Sequence, residues 1–393
     1  MRILYISHCT DRNGATIALV NIIRGMLHRG CEIGVVLPDN EGYLLDVMMD
    51  LGVKVYCSKK YPSIMEKPLW QKGLKYYKEY IKYGKIICQV HLYIYKIIKD
   101  FNPDIVHTNT SAIDYALTGC LLTHKPHVWH LREILDEGCN ISVYPNMYLL
   151  RKKMKLHFNY SIAITKSVFN YYNLQQKDRV IYDGVINEKF DYEKSSLLTF
   201  PYFISVGYVN SVKGFLQLIQ QFSIFSKTNK DMHLVIVGDY NPSSSYYQKC
   251  HECIEYYKIK DRVHFLGLRN DVYRLIKNSK ALIAASPCEG FGFTCVEAMY
   301  CETLVIGRNT AGIKEQFDIG LEQSGGEIGL RFETDNQIPN LLIKSLSCDF
   351  TSMKKNAKKV VLNNYSIQKN VDNIYDYYTD ILNANNKMIS YGK

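Results

Sequence analysis

Short apolar runs alternate along this chain with longer stretches in which apolar residues recur every three or four positions. The short runs have the length of buried strands, and the longer stretches, such as residues 16–28, have the apolar spacing of a helix with one buried face. This alternation predicts an α/β fold of parallel sheets covered by helices. The predicted strands are residues 3–7, 32–37, 53–57, 105–109, 127–133, 161–165, 179–182, 202–207, 233–239, 262–267, 281–285, 303–308 and 329–332.

A polar, charged segment at residues 187–199 divides the alternation into two halves, shortly after the sequence Asp183-Gly184-Val185. A chain of 393 residues is also too long for one hydrophobic core. We therefore predict two Rossmann-like parallel-sheet domains, residues 1–190 and 200–370, facing a central cleft. In such sheets, ligands bind at the carboxyl ends of the strands.

The most informative stretch for chemistry is residues 281–300. An apolar strand ends at Ser286-Pro287, a loop carries Gly290 and Gly292 on either side of Phe291, and a helix follows from residue 294. The first N–H groups of such a helix have no partner within the helix and point into the loop. They lie at the positive end of the helix dipole, so this loop suits a phosphate group.

Two carboxylates frame this loop. Glu297 lies in the first turns of the helix and has the acceptor oxygens needed to bind both vicinal hydroxyls of a ribose. Glu289 lies in the loop and would face the sugar that reacts. The alternative is that one glutamate only complements the helix dipole and the other is a solvated surface charge.

The sequence Glu289-Gly290-Phe291-Gly292, followed by Glu297-Ala298-Met299, resembles the glutamate-pair signature of retaining glycosyltransferases of family 4. The resemblance extends over nearly the whole chain and implies the GT-B fold. It also implies a nucleoside-diphosphate sugar as donor, and a C-terminal helix, residues 371–393, that packs back on the N-terminal domain. The sequence His130-Leu131-Arg132-Glu133 is similar to a variant found among polysaccharide-building members.

The resemblance also assigns roles to individual residues. His130 would contact the donor sugar, although a histidine near a strand end is also common as a structural residue. Lys213, at a helix entrance, would neutralise the diphosphate, and Tyr208 stands where the family usually has an arginine. The predicted catalytic residues are His130, Glu289 and Lys213. The predicted donor-binding residues are Gly14, Gly207, Lys213, Arg269, Gly290, Phe291, Gly292, Phe293, Thr294 and Glu297.

Part of the net charge of +10 comes from one basic segment of the chain. Residues 59–99 contain ten lysines, only two acids, Glu66 and Glu79, and many interleaved aromatic residues. A basic, aromatic stretch with helical spacing suits an anionic membrane surface, while the alternative is a solvated basic helix face. A nucleic-acid partner is not predicted, because the motifs of nucleic-acid-binding modules are missing from the sequence.

The twelve cysteines are scattered, which is typical of reduced thiols. Cys250 and Cys253 form a single CxxC without a second pair, and no Asp-x-Asp run has metal spacing, so we predict no metal and no cofactor. The N-terminus enters a strand directly and lacks the features of a secretory signal. The expected location is the cytoplasm, peripheral at the inner face of the membrane.

These observations predict a hexosyl- or N-acetylhexosaminyltransferase. It would move a sugar with retention from a nucleoside-diphosphate sugar to a lipid-linked glycan in surface polysaccharide biosynthesis. One alternative is a nucleotide-sugar epimerase of the same architecture. Another is a non-catalytic nucleotide-sugar binder, to which the tyrosine at position 208 points.

Overall fold

The computed structural model describes residues 1–58, 65–66, 76–134, 142–143, 146–186 and 198–391, and the chain divides into two compact units. The first unit contains Met1–Gly184 and Ile367–Lys393, and the second contains Val185–Ser366. The chain thus passes into the second unit just before the charged segment 187–199, which lies mostly outside the described residues, and returns at Ile367.

The first unit is built on a parallel sheet with the strand order β3-β2-β1-β5-β6-β8-β9. A separate antiparallel pair, β4 with β7, was not predicted from the sequence. The strands are β1 Arg2–Ile6, β2 Glu32–Leu37, β3 Lys54–Cys57, β4 Met65–Glu66, β5 Ile105–Thr108, β6 His127–Leu131, β7 Ser142–Val143, β8 Asn159–Ala163 and β9 Arg179–Val180.

Two helices of the first unit, α1 (Gly14–His28) and α6 (Lys166–Tyr172), begin at residues whose side chains accept from free N–H groups of the first turn. Asn13 and Thr16 form a reciprocal capping box at α1, and Thr165 caps α6. The last helix, α14, packs against α1, where a Cβ at Gly25 would lie only 2.4 Å from Cγ1 of Val371. The helices are α1 Gly14–His28, α2 Tyr43–Asp50, α3 Tyr76–Phe101, α4 Ala116–Thr123, α5 Met147–Met154, α6 Lys166–Tyr172 and α14 Ile367–Tyr391.

The second unit has a six-stranded parallel sheet with the strand order β12-β11-β10-β13-β14-β15. Its strands are β10 Tyr202–Val206, β11 His233–Val237, β12 Val263–Phe265, β13 Ala281–Ala284, β14 Leu304–Arg308 and β15 Leu330–Phe332. Its helices are α7 Phe215–Phe225, α8 Ser245–Tyr256, α9 Val272–Asn278, α10 Phe293–Tyr300, α11 Ala311–Ser324, α12 Ile338–Ser347 and α13 Thr351–Asn364. The predicted α/β architecture of two Rossmann-like sheets is confirmed.

Each unit has its own apolar core between its sheet and its helices. In the second unit, strand residues such as Leu234 and Ile283 pack with Leu218 and Phe222 of α7, all without exposed surface. In the first unit, α14 contributes Val371, Ile374 and Tyr378 to the core, so the C-terminal segment is an integral part of that unit. Among the described residues, no helix combines the length and the apolarity needed to cross a membrane.

Candidate functional site

The glycine-bearing loop between β13 and α10 is held in shape by α11. The N–H group of Gly312 donates to the carbonyl of Glu289 at 2.9 Å, and Nε2 of Gln316 donates to the carbonyl of Phe291 at 2.6 Å. A Cβ at position 312 would lie 2.6 Å from the Gly290 carbonyl oxygen, so the close approach of α11 requires glycine there. These contacts fix the loop backbone directly in front of α10.

The N-terminus of α10 has no side-chain cap. Its N-cap residue is Gly292, with φ of 92°, and this residue has no side chain that accepts from the first turn of the helix. The first N–H groups of a helix are donors without helical partners, and the helix dipole adds positive potential at this end. The loop and helix therefore form the anion-binding geometry that the sequence predicts.

Lys213 and Glu289, both predicted catalytic residues, form an ion pair in this unit. Nζ of Lys213 lies 2.7 Å from Oε2 of Glu289, and Oγ of Ser286 donates to the same carboxylate oxygen at 3.1 Å. The side chains of Lys213 and Glu289 are 28% and 24% exposed, so both retain access to solvent and to a ligand. The pair joins the turn after β10 to the loop after β13.

Two glycines allow Lys213 to reach this position. Gly214 has φ of 71°, and a Cβ there would lie 2.4 Å from the carbonyl oxygen of Ala285. Gly207 has φ of 155°, and the stem of Lys213 passes 3.2 Å from where its Cβ would be. The backbone after β10 thus folds tightly over the end of β13, which brings the lysine next to the glutamate.

A narrow pocket lies at the carboxyl ends of β10 and β13, beside the N-terminus of α10. Polar groups of Lys213, Glu289 and Thr294 face it together with apolar strand residues. Its lining residues are Ser205, Val206, Lys213, Phe215, Ile283, Ala284, Ala285, Ser286, Glu289, Gly292, Thr294, Cys295 and Ile313. The position agrees with the rule that ligands of parallel α/β sheets bind at the carboxyl ends of the strands.

Glu297 is half-buried one turn further along α10, where it forms a hydrogen bond with the hydroxyl of Tyr273. Burial raises the pKa of the Glu297 carboxyl to about 7, and the hydrogen bond from Tyr273 opposes this rise. The same burial raises the pKa of the Tyr273 phenol well above its ordinary value, so the phenol remains a donor. Glu297 is therefore poised to change its charge near neutral pH.

Other predicted donor-binding residues have different surroundings. The Phe291 side chain is buried and packs on Phe293 and Tyr365, with ring centroids 5.1 and 5.5 Å apart. Phe291 therefore belongs to the core, and only its backbone faces the loop. Arg269 forms a two-pronged ion pair with Asp271 after β12 and does not line the pocket.

Three cations of the second unit, Lys213, Arg269 and Arg308, are candidates to replace the arginine missing at position 208, and of these Lys213 lines the pocket. Arg308 pairs instead with Asp335, and Tyr208 is 49% exposed. Gly14, predicted to bind the donor, is the first residue of α1 in the first unit, directly after the Asn13 cap. The helix N-terminus there is already capped by a side chain, unlike that of α10.

His130 lies at the carboxyl end of β6 and has no exposed surface. Its Nδ1 is 3.3 Å from Nε2 of His107, whose Nδ1 is 2.6 Å from the Tyr378 hydroxyl on α14. Burial is the main cause that holds the pKa of both histidines well below the ordinary value, so both rings are neutral. Contact of His130 with a donor sugar stays a prediction and requires this ring to become accessible.

The buried carboxyl end of β6 also contains an ion pair that was not predicted from the sequence. Arg132 pairs with Asp183, and both side chains are buried, while Nε and Nη2 of Arg132 donate to Oδ1 of Asn109 at 3.3 and 3.1 Å. Asp183 lies shortly before the charged segment 187–199. Its side chain fixes this part of the chain to the end of β6.

Sequence reasoning missed three residues that shape the candidate site. Ser286 supports Glu289, Gln316 holds the loop backbone, and Tyr273 contacts Glu297. Ser286 stands three residues before the motif and was identified only as the end of a strand. Gln316 and Tyr273 lie on helices α11 and α9, outside the motif, and carry no local sequence signal for this role.

Comparison with known protein families supports the sequence resemblance. Residues 187–329 match the family described as Glycosyl transferases group 1. The chain is 22% identical over 240 residues to an uncharacterized glycosyltransferase of Methanocaldococcus jannaschii, which covers 54% of this chain and 57% of that protein. It is 29% identical over 132 residues to the UDP-Gal:alpha-D-GlcNAc-diphosphoundecaprenol alpha-1,3-galactosyltransferase of Escherichia coli, with coverage of 32% and 31%. This chain thus spans 57% or less of the length of these relatives.

A solved structure of similar fold is that of Anabaena Alr3699/HepE in complex with UDP and glucose. It matches with a TM-score of 0.75 at 18% sequence identity, over 97% of this chain and 100% of that one. At this level of identity the likeness concerns the fold alone, and it confirms the predicted GT-B fold.

Proposed function

We propose that this chain, whose residues 187–329 match the group 1 glycosyl transferases, transfers a sugar from a nucleoside-diphosphate sugar to a glycan acceptor. The observation that carries the proposal is the convergence of three groups on one pocket. These are the uncapped N-terminus of α10, the ammonium group of Lys213 and the carboxylate of Glu289. A diphosphate with a sugar on one side uses all three.

The diphosphate would bind the N–H groups of the loop and of α10, with Lys213 as the compensating cation. Breaking the bond between the anomeric carbon and the diphosphate oxygen places negative charge on the departing diphosphate. Donors already fixed in position stabilise that charge more strongly in the transition state than in the bound donor, which accelerates the reaction. The ion pair with Glu289 holds Lys213 in place before the donor arrives.

The two glutamates would recognise the two ends of the donor. We assign the ribose hydroxyls to Glu297 and the transferred sugar to Glu289, which lies nearer the loop. Glu289 is bonded to Lys213 and Ser286 through one oxygen, Oε2, which leaves Oε1 to accept from a sugar hydroxyl. For Phe291 we propose that only the backbone contacts the donor, because its side chain lies in the core.

Transfer would proceed with retention on the same face of the sugar. The bond from the acceptor oxygen to the anomeric carbon forms as the bond to the diphosphate breaks, and the acceptor proton passes to a leaving phosphate oxygen. The pocket carboxylate Glu289 is paired with a lysine, which makes it a poor covalent nucleophile. A trapped glycosyl-enzyme would contradict this route.

The acceptor that we propose is a lipid-linked glycan of a surface polysaccharide. One relative acts on an acceptor that its name describes as a diphosphoundecaprenol derivative. The basic, aromatic stretch 59–99 supports a membrane surface as partner. Much of that stretch lies outside the described residues, and the proposal rests there on sequence alone.

The test measures binding of nucleoside diphosphates and sugar donors to the full chain by calorimetry, and then release of nucleoside diphosphate with and without a glycan-diphospholipid acceptor. We expect binding of at least one donor and release that depends on acceptor. Conversion of donor alone to its epimer would favour the epimerase instead, and binding without turnover would favour the non-catalytic alternative. The anomeric configuration of the product, measured by NMR, tests retention.

A further inference from the structure

A cavity of about 230 Å³ lies on the second unit, between helix α13 and the turn that follows α10. None of its lining residues lines the pocket of Lys213 and Glu289. Helix α10 connects the two places, since it begins next to Gly292 at that pocket and ends at Tyr300, two residues before Glu302. The cavity is lined by Glu302, Lys355, Lys358, Lys359, Leu362 and Asn363.

The charges of α13 are unfavourable for an isolated helix. The helix contains Lys354, Lys355, Lys358 and Lys359 and no acidic residue. Each of the first two lysines is four positions from one of the last two, a spacing at which like charges repel on a helix surface. Lys354 also stands at the end of the first turn, near the positive end of the helix dipole. Local rules that are broken in this way are expected at functional positions.

Glu302, on the other wall of the cavity, has an unusual backbone conformation. Its φ of 55° lies in the left-handed region, which residues with a side chain seldom adopt and which is found preferentially at functional sites. Its Oε1 lies 2.8 Å from Nζ of Lys358. The hydrogen bond from Lys358 lowers the pKa of Glu302 against the effect of burial, and the charges of Lys277 and Lys355 act in the same direction. One carboxylate thus lies among three lysines.

Lys355 and Lys359 take no part in that ion pair. Both are exposed and line the cavity, and neither forms an ion pair within the part of the second unit that the structure describes. Asp349, just ahead of the helix, accepts instead from the backbone N–H and the hydroxyl of Thr351, at 2.9 and 2.6 Å. The cavity wall therefore carries two ammonium groups without a carboxylate of the described chain.

We propose that this cavity binds a phosphoryl group, supplied by a soluble phosphate ester or by a phospholipid head group. Lys355 and Lys359 are neighbours on one side of α13, with about 5–6 Å expected between their Cβ atoms, so both ammonium groups can reach one phosphate. Leu362, which is 36% exposed, offers an apolar contact to the carbon part of such a ligand. The bound anion would balance the charges that repel one another in the free helix.

Glu302 would oppose this binding, because its carboxylate repels a phosphate and competes for Lys358. The cavity should therefore prefer a doubly charged phosphate to a singly charged anion such as chloride. Replacing Glu302 by glutamine should strengthen binding. A lysine cluster that serves only to hold the turn after α10 would give no such gain.

The first test is acetylation of lysines in the full chain with acetic anhydride, read residue by residue by mass spectrometry at a constant ionic strength set with sodium chloride. The probes are glycerol 3-phosphate and vesicles of phosphatidylglycerol, with vesicles of phosphatidylcholine as the neutral comparison. We expect protection of Lys355 and Lys359, while the exposed lysines after α7, Lys227 and Lys230, react as they do without the probe. Protection by glycerol 3-phosphate identifies a soluble ester as ligand, and protection by phosphatidylglycerol vesicles alone identifies a head group.

The second test measures the affinity for the protecting probe. Lys355→Gln/Lys359→Gln should weaken binding roughly tenfold, because two charged donors are lost. Lys227→Gln/Lys230→Gln is the matched control with the same change of charge, and it should bind like the wild type. The first double variant removes a repelling pair, so it should melt no lower than the wild type.

The inference is overturned if neither probe protects Lys355 and Lys359, or if Lys355→Gln/Lys359→Gln binds like the wild type. A lower melting temperature of that variant would also overturn it, by showing that the two lysines stabilise the helix. The site uses no residue of the donor pocket, so protection should persist in Lys213→Met. Failure of the wild type to bind any nucleoside diphosphate would overturn the proposed function and leave this site unaffected.

Discussion

Nζ of Lys213 lies 2.7 Å from Oε2 of Glu289, although the two residues are 76 positions apart in the sequence. The pair links the turns that follow two neighbouring parallel strands, β10 and β13. Each residue was assigned a separate task from the sequence, the lysine for a diphosphate and the glutamate for a sugar. Their contact indicates that the two tasks are coupled, because a donor diphosphate would compete with Glu289 for the lysine.

The first prediction follows from this pair. Lys213→Met should lower turnover by about 10²–10³-fold, because the variant removes a fixed cation from the departing diphosphate. The melting temperature should change little, since both side chains are partly exposed and such ion pairs contribute about 0–1 kcal/mol. Steady-state kinetics and thermal unfolding provide the two measurements.

Lys314→Met is the matched control, because Lys314 forms an exposed ion pair with Asp318 on α11 and does not line the pocket. It should retain full turnover. Equal turnover of Lys213→Met and wild type would contradict the assignment of this lysine to the diphosphate.

The second prediction concerns pH. The pKa of Glu297 is raised to about 7, so the carboxyl group of the free protein is mostly protonated below that pH and ionised above it. If the ionised form accepts the ribose hydroxyls, donor affinity should increase between pH 6 and pH 8 and then level off. Calorimetry across this range should show the increase for the wild type and a flat profile for Glu297→Gln.

The raised pKa of Glu297 also affects folding stability, which should decrease with rising pH while donor affinity increases. Because the carboxyl group is harder to ionise in the folded protein, folding becomes less favourable as pH rises from the ordinary value of 4.5 towards 7. Glu297→Gln should therefore raise the free energy of unfolding more at pH 8 than at pH 5. A stabilising effect confined to the acidic range would show that the pKa of Glu297 is not raised in the folded protein.

The third prediction tests the turn that delivers Lys213. Gly214→Ala should destabilise the protein by about 2–4 kcal/mol, because φ of 71° disfavours alanine and the new Cβ would meet the carbonyl of Ala285. Denaturant unfolding measures the change. Gly326→Ala is the control, since a Cβ there meets nothing within 4 Å, and it should unfold like the wild type.

The fourth prediction concerns the buried ion pair of the first unit. Asp183→Asn should lower the free energy of unfolding by about 3–5 kcal/mol, because it leaves the buried guanidinium of Arg132 without its carboxylate. Asp380→Asn makes the same chemical change at the exposed pair with Arg179, and it should lower the free energy of unfolding by less than about 1 kcal/mol. Similar losses for both variants would mean that the Arg132 pair is solvated.

The sequence alone determined the elements that are set by local patterns. Strand β2 was predicted at its observed bounds, and the helix predicted at residues 16–28 ends where α1 ends. An apolar run with a clear end, or apolar residues at helical spacing, determines such elements within a few residues. The loop with Gly290 and Gly292 and the anion-binding end of α10 also followed from local order. Such features depend on backbone chemistry within one short stretch.

Only the tertiary structure decided which side chains meet. Phe291 stands in the sequence between Glu289 and Gly292, which line the pocket, yet its ring is buried against Phe293 and Tyr365. Tyr273 and Gln316 reach the site from other helices, and Lys213 reaches Glu289 because Gly214 allows a tight turn over β13. Contacts of this kind depend on how segments far apart in the sequence pack together. Hydrophobic periodicity and motif spacing describe only short stretches of the chain and do not predict that packing.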